Sequence, residues 1–282
     1  MAATTGVHSA AHHATRSDAF EYTARAGFAA SGVLHLLVAY IIGRLAFTGQ
    51  GGGGQGSADQ SGALATLAGQ TGGAVLLWVV AVGLVALGLW RIAEAVLGAK
   101  PRDESAQRSN GSSSDKPAHK RAKSLALAAV NFAIAVSAAR YAMGSGQSSS
   151  QQNAGLSAQL MQSGWGKALL IAVGIGVAVV GGYHIYKGAS EKFLDDLRVS
   201  GGRLITATGV TGYIAKGLVL GGAGLLVVVA TVQADPAKAS GLDAAVKTLG
   251  QAPFGKFLLV AAALGIAAFG AYSFVRSRHS RM

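Results

Sequence analysis

Six stretches of this chain, 26–47, 74–97, 123–143, 166–187, 209–232 and 255–276, run for about 20 residues with almost no charge, the length an α-helix needs to cross roughly 30 Å of hydrocarbon. Nothing else in the sequence restricts the fold so tightly. A soluble protein would need amphipathic, charge-rich helices to cover six such segments. Of the 282 residues only 13% are charged and 51% are hydrophobic, whereas ordinary soluble domains carry about a quarter charged residues. The expected fold is an all-α membrane protein with six transmembrane helices.

The segments are copies of one another. WGKALLIAVGIGVAVVGGYHIYKG at 165–188 and FGKFLLVAAALGIAAFGAYSFVRS at 254–277 share a frame with GGAVLLWVVAVGLVALGLWRIAEA at 72–95. Gly73, Gly166 and Gly255 coincide, then Gly83, Gly176 and Gly265. The preceding helices, GFAASGVLHLLVAY from Gly27, AKSLALAAVNFAIA from Ala122 and GYIAKGLVLGGAGL from Gly212, match more loosely; with a shift of one residue in the middle copy, Arg44 stands against Arg140 and His35 against Asn131 and Leu220. Each unit reads helix, loop, helix. Before the second helix lie short apolar-spaced stretches such as LSAQLMQSG and LDAAVKTLG, expected as interfacial helices or as turn-rich loop.

Loop charges set an expected orientation. Residues 48–73 and 144–165 hold no Lys or Arg, while 98–123 hold seven and the tail adds Arg276, Arg278 and Arg281. By the positive-inside rule both termini are cytoplasmic, in a bacterial plasma membrane. The units then enter and leave on one side, and parallel repeats pack about an axis along the membrane normal, giving a pseudo-three-fold bundle. The expected organisation is an N-terminal tail (1–20), repeat 1 (21–98), a disordered basic linker (99–121), repeat 2 (122–189), a second linker (190–207), repeat 3 (208–277) and a C-terminal tail (278–282).

GYIAKG at 212–217, QAPFGKFLLVAAALGIAAFGAY at 251–272 and GLWR at 88–91 resemble a bacterial, mainly actinobacterial, membrane family, domain of unknown function 1206. The resemblance covers about residues 18–278 and implies three copies of a two-helix unit. It supplies no chemistry, because that family has no assigned activity. The middle unit departs most, at Lys123 and Ser124. Mitochondrial solute carriers also use three times two helices, but their proline-containing carboxylate motif is missing here.

Candidate polar residues within or beside the spans are Lys216, His35, Asn131, Arg44, Arg140, Lys167 and Lys256. Lys216 sits one to two turns inside the fifth span without an acidic partner on its own helix; facing the bundle, it would be the most informative charge in the chain. Arg44, Arg140, Lys167 and Lys256 lie near one membrane face, where long basic side chains ordinarily snorkel to the interface; as a ring around a mouth they would attract anions. His35 lies roughly 14 Å into its span and His184 roughly 5 Å, so the pair does not suit a haem, and no cofactor is expected. Gly217 and Gly221, with the repeated glycines, read as close helix packing.

No thiol chemistry is open to a chain with no cysteine. Metalloprotease, nucleophile-elbow and P-loop patterns are missing, so no catalytic or metal site is expected and the protein is read as non-enzymatic. The net charge of +12 comes largely from the expected cytoplasmic segments, which favours anionic lipids over nucleic acid as a partner. The functional expectation is a helical scaffold or a subunit that binds an unidentified membrane protein, with a small-solute or anion pathway along the pseudo-three-fold axis as the alternative.

Overall fold

The computed structural model describes residues 18–49, 57–97, 117–198 and 202–279. Among them are nine α-helices and no strand: α1 (Asp18–Thr48), α2 (Gln60–Ala68), α3 (Gly73–Leu97), α4 (Pro117–Ala142), α5 (Ser149–Met161), α6 (Gly164–Ala189), α7 (Arg203–Gln233), α8 (Leu242–Gln251) and α9 (Gly255–His279). The long helices α1, α3, α4, α6, α7 and α9 are each long and apolar enough to cross a membrane. Every unit is long helix, short helix, long helix. The short helices all gather at one end of the bundle, the cap end, and the first and last described residues lie at the other, the terminus end.

Two expected linkers prove partly helical. α4 begins at Pro117, inside the stretch expected to be disordered; proline suits a first turn, where its missing N–H would have no partner anyway. α7 begins at Arg203, within the expected linker 190–207. The glycine-rich 50–56 and most of the linker, 98–116, lie outside the described residues.

One device recurs in each unit. A Cβ at Gly73, Gly166 or Gly255 would collide with the carbonyl oxygen of Leu67, Leu160 or Gly250, at the end of the preceding short helix. These glycines, read from the sequence as span-to-span packing, instead let each short helix fold back onto the start of the next span. Side-chain caps fix helix starts nearby: Asp59 accepts from Gly62 N–H at the start of α2, and Ser163 from Gly166 N–H at the joint where α6 begins.

The main packing runs between units. α3 packs along α4, α6 along α7, and α9 along α1. A glycine at one repeat position opens each of these interfaces: Gly88 faces the Phe132 ring, Gly181 the backbone of Gly217 and Gly221, and Gly270 the backbone of Gly32. Small residues at such crossings let helices approach to backbone contact. Within units, α1 packs on α3 and α7 on α9, but α4 does not pack along α6 among the described residues. The three units are thus joined by three equivalent seams, with one seam inside the second unit left open.

That open seam separates the three repeated glycines Gly83, Gly176 and Gly265. Gly83 lies on the backbone of Ala26 and Gly27, and Gly265 on Ala215, whereas a Cβ at Gly176 would meet nothing. The expected packing role fails at Gly176, because the helix it should meet stands away. Gly221 also faces open space, yet its backbone is what Gly181 rests on.

Candidate functional site

Three polar constellations lie along the bundle. The central one joins α1, α7 and α9. His35 Nδ1 lies 2.7 Å from the Ser31 carbonyl one turn back, and a carbonyl can only accept, so Nδ1 carries the proton and Nε2 offers its lone pair. Lys216 Nζ donates to that Nε2 at 3.3 Å. The Phe269 ring covers both groups, 4.0 Å from the ammonium and 4.8 Å from the imidazole centroid, an arrangement in which the ring face attracts the cation. No described carboxylate pairs with Lys216. A cation in this setting is held by an imidazole and a π face, and by no opposite charge.

At the cap end, serine and aspartate side chains tie the three units together. Asp59 and Asp243 are both buried. Asp59 accepts from Ser61 Oγ at 2.6 Å and from Gly62 N–H on one oxygen, and from Ser150 Oγ at 3.1 Å on the other. Ser61 Oγ in turn accepts from Ser149 N–H, and Ser57 and Ser148 share a hydrogen bond of 2.8 Å. Asp243 accepts from Ala58 N–H at 2.7 Å and from Lys247 at 2.8 Å. Asn153 and Ser157 of α5 donate to the carbonyls of Ser240 and Ala239. Buried polar groups satisfied in this way rigidify what they join.

At the terminus end, the turn after α6 inserts into the bundle. Phe193 and Leu197 are fully buried, Phe193 stacks on Tyr213 and meets Tyr272 edge-on, and Tyr272 donates its hydroxyl to the Phe193 carbonyl at 2.9 Å. Gly209 makes room for the Phe193 ring. Arg198 N–H donates to the His279 carbonyl. Asp196 lies 2.6 Å from Lys187 and 3.9 Å from Arg276. Burial pushes the Asp196 carboxyl up, and Arg276 and Lys187 more than reverse it, holding the group below its ordinary range.

Of the sequence candidates, only Lys216 and His35 meet. Asn131 donates to the Leu127 carbonyl of its own helix at 2.8 Å. Arg44, Arg140, Lys167 and Lys256 are all exposed at the cap end; Arg44 lies over Tyr40, and Lys256 over Phe47 of α1. His184 bonds the Val180 carbonyl and stacks on Tyr213, apart from the His35–Lys216 contact. Among the described residues no group of three metal-binding side chains gathers.

Sequence reasoning missed the cap and the inserted turn. The serines had no periodicity to mark them, and Phe193 sits in a short apolar break in a polar loop. Gly88, Gly181 and Gly270 were legible, five residues beyond Gly83, Gly176 and Gly265 in the same frame.

The family model described as Domain of Unknown Function (DUF1206) matches three segments, 26–98, 122–191 and 211–279. The uncharacterized protein YxxB of Bacillus subtilis (strain 168) is 28% identical over 263 residues, covering 92% of this chain and 90% of that protein. No solved structure matches. Each matched segment holds one helix–short helix–helix unit, so that the repeat, the bundle and the family coincide, and the chain belongs to the DUF1206 family.

Proposed function

We propose that this chain is a non-enzymatic, multi-pass protein of the bacterial plasma membrane, with both termini cytoplasmic, that serves as a helical scaffold or partner-binding subunit. The observation that supports this reading is how the bundle spends its polar groups. The central ammonium donates to an imidazole of the same chain, both cap carboxylates accept internal hydrogen bonds, and an aromatic turn fills the terminus end. Polar groups committed to one another rigidify a bundle. Anionic lipids would gather at the basic cytoplasmic segments.

A second reading, passage of an anion or small solute along the axis, draws on the same centre. Lys216 has no described carboxylate partner, and an intramembrane cation is a functional candidate by default. Purified protein in sealed liposomes decides between them. The scaffold reading expects no flux of halide, nitrate or phosphate above protein-free vesicles. Flux that disappears in Lys216→Met would overturn it.

A further inference from the structure

The seam between α4 and α6 differs from its two counterparts in a way that points to movement. In the first and third units the second span buries a stripe: Val80 and Leu87 are 5% and 4% exposed, and Ala262 and Phe269 are 9% and 6%, with Leu87 beside Gly27 and Phe269 beside Gly212 of the unit's own first span. The residues at those positions of the second unit, Val173 and Val180 on α6, are 51% and 48% exposed. Gly176 lies between them on the same stripe and is exposed as well, although Gly83 and Gly265 are buried.

The facing wall on α4 is bared in the same way. Ala126 stands where the other units have Ala30 and Ala215; Ala30 is buried, Ala215 lies against Gly265, and Ala126 is exposed. The alanine and the glycine that form the contact in the third unit are therefore both present in the second, on two helices that stand apart.

The sequence also holds a reason for the separation. In the register that sets Arg44 against Arg140 and His35 against Asn131, Lys123 occupies the position of Gly27 and Gly212, which approach the second span at backbone distance: Gly27 lies on Gly83, and Gly212 on the backbone of Phe269. Any residue with a Cβ at that position opposes so close an approach, while Ala126 and Gly176 still permit it further along.

We infer that α4 and α6 form a lateral gate, open in this structure, that closes by seating Ala126 on Gly176. The chain's other two units supply the closed geometry. The hinge of such a motion belongs on the α4 side, because α6 meets α7 backbone to backbone at Gly174, Gly181, Gly217 and Gly224, whereas at the α3–α4 seam Gly88 meets only the Phe132 ring. α5, held at its start by Ser57, Asp59 and Ser61 and joined at its end to α6, connects the two sides across the cap end. The inference is independent of the scaffold reading and compatible with either function.

The absence of cysteine makes the test direct. Ala126→Cys and Gly176→Cys are introduced together into the full chain, at two exposed positions that tolerate a side chain, and native membranes are treated with copper phenanthroline. Closure predicts an intramolecular disulfide that forms several-fold faster when Lys123→Gly is added. Both thiols reacting with a small maleimide while forming no disulfide would overturn the gate. A disulfide-linked dimer from the Gly176→Cys variant alone would overturn it too, by assigning this face to a second copy of the chain.

Discussion

Lys216 and His35 show how a charge is placed in an apolar bundle with no carboxylate partner among the described residues. The imidazole accepts from the ammonium only because its other nitrogen is committed to Ser31, so a backbone carbonyl fixes the tautomer that holds the cation. Near the terminus end the solution is different, with Asp196 shared between Lys187 and Arg276. Its carboxyl is held below the ordinary value of 3.8. A depressed carboxyl contributes stability that is present above its unfolded value and lost as pH falls through the folded one. In detergent, Asp196→Asn is expected to lower the unfolding temperature of the protein at neutral pH, and the gap between the two proteins should narrow as pH drops below 3.8. A gap that stays constant down the titration would remove the ion pairs from the account of this turn.

Between helices, glycine position decides what packs. Gly181 is pressed onto the backbone of Gly217 and Gly221, while Gly176, five residues earlier on α6, faces open space. Overpacking a tight site costs about 1–3 kcal/mol, and a change at an unoccupied surface usually stays within about 0.5 kcal/mol. Gly181→Leu should therefore unfold the bundle at clearly lower temperature or denaturant, and Gly176→Leu should leave it near wild type, by circular dichroism in detergent. Equal loss in both variants would mean that α6 is covered where the structure shows it bare. The cap makes a related prediction. Asp59 receives three hydrogen bonds from α2 and the start of α5, and Asp59→Ala strands those donors at about 1–3 kcal/mol for a buried unsatisfied group. Faster amide exchange across α2 and α5, with α6 and α7 unchanged, is the expected signature.

Taken together, the six long helices form a row, α4–α3–α1–α9–α7–α6, whose two ends do not pack against each other. Three parallel units require the short helices to share one side of the membrane. Reporter fusions or introduced thiols at Gly53, Ser149 and Ser240 are expected on the outside, with Ser113 and the C-terminus inside. A cytoplasmic Ser149 would break the common orientation of the units and the assembly built on it.

The spans, their grouping into three units and the repeated glycines could all be read from the amino acids, because hydrophobic length and small-residue spacing act within one segment and leave a periodic trace. Where those glycines would point could not. Gly83, Gly176 and Gly265 are identical by position, and two are packed while one is bare, since burial depends on whether a second helix arrives. Lys216 stood out as a charge in an apolar run, but its partner, 181 residues away in the chain, is set by the crossing of α1 and α7. The cap is the extreme case: serines at 57, 148 and 150 are ordinary polar residues until folding brings the three connections between long helices together around Asp59 and Asp243. A hydrogen-bond network between loops has no period and no fixed separation. It exists only once the helices beneath have fixed where each loop starts and ends.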